Sequence, residues 1–139
     1  MSGINTRRLM LAGLVAGILD NVLDGVIGAF FLSGDFNEIL TRLNVEQGSL
    51  RSSAWIIIVG DLLYGFLLVF TYVAMRPRFG PGPKTAVISA LSIWLVMVIT
   101  LSFLLIIQLY SMSGFVRNAL LYLVASIIVS IVGAAIYKE

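Results

Sequence analysis

The chain has 139 residues, of which 60% are hydrophobic and only 12% charged, with a formal net charge of +2 and a mean hydropathy of +1.05. Soluble domains carry about a quarter charged residues, so this balance places the chain in the integral-membrane class, as one domain, and a charge this small points to no nucleic-acid partner. The sequence contains no Cys and no His, which excludes disulfides, thiolate and imidazole chemistry, and the usual zinc sites and Ser–His triads.

A helix needs about 20 apolar residues to cross the hydrocarbon. Four segments qualify, at residues 9–32, 54–75, 85–110 and 116–137, so the predicted fold is all-α, a four-helix transmembrane bundle. The first span follows Arg7 and Arg8. It is too long for the apolar core of a signal peptide, and acidic residues interrupt it.

Within that first span, GILDNVLDG carries Asp20, Asn21 and Asp24. At 100° per residue, these three share a stripe about 100° wide with Gly13, Gly17 and Gly28. The opposite face holds Leu11, Val15, Leu19, Val22, Val26 and Phe30. The apolar side chains of the span favour insertion by roughly 4 to 8 kcal/mol, and two mid-depth Asp oppose it by roughly 5 to 7 kcal/mol. The isolated helix is marginal, so its polar stripe should face protein.

The loop at residues 33–53 is the long one. In DFNEILTRLNV, Phe36, Ile39, Leu40 and Leu43 fall at helical spacing, with Asp35 placed to cap the start and Glu38 three residues on. This predicts a short amphipathic interfacial helix, alternatively a docking surface or a lid over the bundle. Ser52 and Ser53 are expected to cap the second span.

The second span supplies a partner for the acidic stripe. Asp61, Gly65 and Tyr72 lie within about 40° of one another on its surface. In an antiparallel hairpin Asp24 and Asp61 fall at the same depth, and Gly13, Gly17, Gly28 and Gly65 allow close backbone approach. The pair is expected to share a proton, or to keep one carboxyl neutral as a hydrogen-bond donor. Three roles are open: a polar clasp that holds two helices in register, a proton or cation relay, or a contact for a ligand or partner.

All three prolines fall in RPRFGPGPKT, residues 76–85. Pro and Gly predict a stiff hairpin here. Arg76, Arg78 and Lys84 would either contact anionic lipid headgroups or simply set the topology. The third and fourth spans read as bland, with Gln108 and Asn118 near an interface where water reaches them, and Trp94, Tyr110 and Tyr137 as core or interface aromatics. No repeat supports an inverted-repeat transporter.

Four spans put both termini on one side. Arg7, Arg8, Arg76, Arg78, Lys84 and Lys138 share it, against Arg42, Arg51 and Arg117 opposite. This predicts cytoplasmic termini.

RPRFGPGPKTA, residues 76–86, resembles a run in a family of small bacterial membrane proteins with no assigned activity. The opening LAGLVAG, residues 11–17, and the ending GAAIYKE, residues 133–139, are similar as well. The resemblance implies a bacterial four-helix membrane protein and carries over no activity, cofactor or catalytic residue.

The expected function is a non-catalytic accessory or structural subunit of a larger membrane complex, such as an energy-converting one. The alternative is a small proton- or cation-coupled transporter or channel that uses the intramembrane Asp residues. No enzyme activity, metal or cofactor is expected. The expected partners are membrane lipids and other integral membrane subunits, or further copies of the chain.

Overall fold

The computed structural model describes residues 4–137. Lys138, counted above among the charges near the termini, lies outside that range. Helix α1 spans Thr6–Phe30, α2 Ser33–Leu43, α3 Ala54–Phe79, α4 Pro83–Ile106 and α5 Met112–Ile136, with a 3-10 helix over Gln47–Ser53 and no strand among the described residues. Four of these helices, α1, α3, α4 and α5, are long and apolar enough to cross a membrane. At 1.5 Å per residue each reaches about 36 Å or more, against a hydrocarbon core of about 30 Å.

The four long helices form a bundle. Helix α1 packs on α3 and α5, α4 packs on the same two, and α3 meets α5 across the middle. Apolar burial against lipid gives no net drive for helix association, so close packing and hydrogen bonds must supply it. Small residues do the first job. A Cβ on Gly65 would lie 2.4 Å from the Gly17 backbone nitrogen, and one on Gly17 would lie 2.7 Å from the Leu62 Cα. Gly13 lies against the Phe66 ring and Gly133 against Val69. Ala12, Ala16, Ala86 and Ala90 are fully buried in the core of the bundle. Gly28 does not belong to this set, because a Cβ there would meet nothing within 4 Å. On the face expected to point away from protein, Leu11, Val22, Val26 and Phe30 are exposed, while Leu19 packs against the core.

Three local expectations are corrected. Pro77 lies inside α3, which runs on to Phe79 and stops at Gly80, where φ is +81°. Pro77 removes only one donor near the helix end, and the last turn closes through Gly80 N–H to Arg76 O at 2.8 Å. The hairpin is therefore shorter than the run of prolines suggested, and Pro83 starts α4 in the first turn, where a missing N–H costs nothing. Thr85 Oγ1 donates to Gly80 O at 2.6 Å and fixes the turn. Second, Asp35 does not cap α2. The helix starts at Ser33 because Phe31 and Leu32 both donate to Ile27 O, so α1 turns directly into α2. Third, Ser53 makes no side-chain cap, because the 3-10 helix feeds straight into α3.

Candidate functional site

The polar stripe of α1 faces protein. Asp20 is buried, with 6% of its surface exposed. The Asn21 amide donates to Ile58 O of α3 at 3.0 Å and more weakly to Gly17 O at 3.4 Å, which ties α1 to α3 across the seam. Asp20, Asp24 and Asp61 are close enough to repel one another. The hydrogen-bond partner of Asp24 is not Asp61, however. It is the Tyr122 hydroxyl on α5, which donates to Asp24 Oδ1. Among the described residues neither Asp20 nor Asp61 has a hydrogen-bond partner.

Asp24 and Asp61 open onto one cleft of about 480 Å³ at the α2 end of the bundle. Its walls include the aromatic residues Phe36, Tyr110 and Tyr122, and Asn118 closes one side. Gly28 lines the cleft, so its missing side chain leaves space for something other than a helix. Asp24 lies six residues before the end of α1 and Asp61 seven after the start of α3, which puts both about 10 Å below the helix ends.

Helix α2 lies across this opening. Leu40 is buried beneath it, and Phe36 and Asn37 line the cleft. Two cationic contacts hold α2 down. Arg117 Nε pairs with Asp35 Oδ2 at 3.4 Å, and Arg42 donates to Gln108 O in the α4–α5 loop while pairing with Glu38 at 2.6 Å. Gln108 adopts φ of +57°, so its carbonyl points where an ordinary helix end would not. Burial, and then the neighbouring Asp35 charge, push the Tyr110 phenol above its ordinary value of 10, although the Asn118 amide, which donates to it at 3.2 Å, opposes this. The phenol therefore remains a neutral hydrogen-bonding group.

The fourth span is not bland. Asn118, Tyr122, Ser126 and Ser130 recur every four residues and so share one face of α5. Each reaches a different neighbour. Asn118 donates to Tyr110, Tyr122 to Asp24 of α1, Ser126 pairs with Tyr64 of α3 at 2.9 Å, and Ser130 with Ser89 of α4 at 2.8 Å. Asn118, expected near water, is 9% exposed. The fourfold spacing was the available signal.

At the terminal end, the basic residues do not form one cradle. The Arg76 guanidinium lies over the Tyr72 and Tyr137 rings, 5.9 and 5.2 Å from their centroids, whereas Arg78 lies over Phe79 and Lys84 is exposed. Of the three, only Arg76 lines the recess of about 440 Å³ beside the hairpin. Tyr137 is buried, and its hydroxyl accepts from the Asn5 N–H at 3.1 Å, joining the start of α1 to the end of α5. Trp94 donates to Ala119 O at 2.8 Å and joins α4 to α5.

Comparison with protein families, with characterised proteins and with solved structures finds no match to the chain.

Proposed function

We propose that this chain is a small, non-enzymatic protein of the bacterial inner membrane, with both termini in the cytoplasm, that takes protons or a cation from the outer side into the Asp24–Asp61 cleft. The orientation rests on the excess of Arg and Lys at the end that carries the termini. The observation that carries the function is that two intramembrane carboxyl groups open onto one cleft whose lining contains no Lys or Arg. Ionisable groups at this depth are costly and tend to mark a pathway. The hydroxyls of Tyr122, Ser126 and Ser130 continue from that cleft along α5 toward the other end.

Proteoliposomes loaded with a pH-sensitive dye test this. Wild-type protein should dissipate an imposed proton gradient, and Asp61→Asn should abolish the flux. An Asp61→Asn variant that folds and conducts like wild type sinks the reading.

A second reading is a non-catalytic subunit of a larger membrane complex. It is favoured by α4, which buries 11% of its most apolar stretch against 39% for α5 and so offers a broad apolar face to another membrane protein. Stoichiometric membrane partners after gentle-detergent purification, together with no proton flux, would select it.

A further inference from the structure

We infer that the cleft at the α2 end takes an organic monocation, an ammonium group carried on a compact apolar or aromatic body, in preference to a bare metal ion. This rests on the reading of the cleft as cation-accepting and names the class of cation.

Size comes first. A space of about 480 Å³ falls in the range of small-molecule sites, about 300 to 1,000 Å³. A bare divalent ion instead needs about six oxygens within about 2.0 to 2.6 Å. The cleft offers two carboxyl groups, and among the described residues no three acidic side chains converge as a metal-binding group.

The lining decides the body of the ligand. Phe36, Tyr110 and Tyr122 place three aromatic rings around the space, and Leu32 and Ile57 complete an apolar wall. Aromatic rings attract quaternary and tertiary ammonium groups through their negative faces, and do so more strongly where water is excluded. A small hydrated ion gains little from such a wall.

The charge follows from the hydrogen bonds. Tyr122 already satisfies Asp24, which leaves Asp61 as the carboxyl of the cleft without a hydrogen-bond partner among the described residues. Asp61 is part-exposed to the cleft, and no Lys or Arg lines the cleft to pair with it, so a cationic ligand can. Asp61 is thus the one carboxyl of the cleft whose oxygens no described neighbour takes, and a single ammonium group fits it. Phe36 comes from α2 and is itself 47% exposed, so a ligand arriving from the α2 side meets this ring on entry.

The probe is benzyltrimethylammonium, with neopentylbenzene as its uncharged carbon isostere. Equilibrium binding to the purified full-length protein in mild detergent should be saturable, and excess neopentylbenzene should leave it unchanged. Asp61→Asn should weaken it by about tenfold or more, equal to about 1.4 kcal/mol. Phe36→Ala, an exposed position outside the bundle core, should weaken it about three- to tenfold. This second variant keeps the test decisive if Asp61→Asn fails to fold. The inference is overturned if the wild type shows no saturable binding, if neopentylbenzene displaces the probe equally well, or if Phe36→Ala binds as tightly as wild type. Proton flux measured on the same preparation separates the two readings. Flux without ammonium binding overturns this inference and leaves the proton pathway standing; binding without flux supports the site and overturns transport through it.

Discussion

Helices α1 and α3 meet at two levels, once through glycine and once through polar side chains, about one helical turn apart. At the first, Gly65 rests against the Gly17 and Ala16 backbone, with no room for a methyl group. At the second, four residues earlier in α3, Asp61 faces a cleft and Asn21 reaches across to Ile58, while Asp24 pairs instead with Tyr122 of α5. The cleft's own glycine behaves accordingly: Gly28 has nothing within 4 Å of a would-be Cβ. Backbone contact brings dispersion and weak backbone interactions into play at short range and leaves no volume. Polar side chains hold the helices apart at the length of a hydrogen bond, and the space between them can be entered. The same pair of helices is therefore a rigid joint in one half and a lined opening in the other.

The sharpest way to break this contrast is to add one methyl group on each side of it. Gly65→Ala puts a Cβ within 2.4 Å of backbone, so α1 and α3 must separate. Overpacking of this kind costs about 1 to 3 kcal/mol, more than the helix propensity gained. Gly28→Ala meets open space and should gain up to about 1 kcal/mol from reduced chain entropy. Thermal unfolding in a fixed detergent should show Gly65→Ala clearly below wild type and Gly28→Ala at or above it. Equal midpoints for the two would deny that the joint is tighter than the opening. Gly13→Ala should fall between them, because its neighbour is the edge of the Phe66 side chain rather than backbone.

How much of this was legible before folding depends on how unusual each residue is in its setting. Two Asp and an Asn in an apolar run are individually costly, so one helical projection sufficed to place the α1 stripe against α3. Gly17 and Gly65 were legible for the same reason. Gly28 misled because the projection gives angle but not what stands opposite. The α5 stripe was spelled out at fourfold spacing, yet Ser126 and Ser130 are ordinary in a membrane helix, where a Ser can satisfy its hydroxyl on its own backbone. Ser92 and Thr100 of α4 do that, donating to Ile88 O and Val96 O. Nothing in a single helix tells the two behaviours apart, so depth alone points Asp24 to α3, whereas its partner lies on α5. Pro77 was misplaced because the rule against proline in helices weakens near an end, where few carbonyls depend on the missing donor.

The opening can be sharpened at its individual rungs. Tyr122→Phe removes the hydroxyl that serves Asp24 and should cost about 1 kcal/mol or more, because a part-buried acceptor loses its donor. Tyr64→Phe removes a neutral pair with Ser126 and should cost nearer 0.6 kcal/mol, about the average for such bonds inside membranes. A double-mutant cycle of Tyr122→Phe with Asp24→Leu, read by unfolding in detergent, should return a coupling of about 1 kcal/mol or more. Independent effects would mean that the two side chains do not depend on one another.

The smallest expected effect lies in the cover of the opening. The Asp35–Arg117 pair leaves Arg117 half exposed, so Asp35→Asn should cost no more than about 1 kcal/mol, and less in high salt. Its signature is local: amide exchange should quicken in α2 while α1 and α3 stay protected. Tyr110, beneath the same pair, adds a pH dependence. It binds its proton more tightly in the folded protein than in the unfolded chain, through burial first and the Asp35 charge second. Its contribution is therefore complete below pH 10 and is lost as the pH rises through the raised folded value. Protection of the α2 amides, taken relative to base-catalysed exchange of an unfolded chain, should thus fall in strongly alkaline buffer, and Tyr110→Phe should flatten that fall without touching the joint at Gly17 and Gly65. Alkaline loosening that spreads equally into α1 and α3 would show that α2 does not move as a separate cover, and that joint and opening unfold as one.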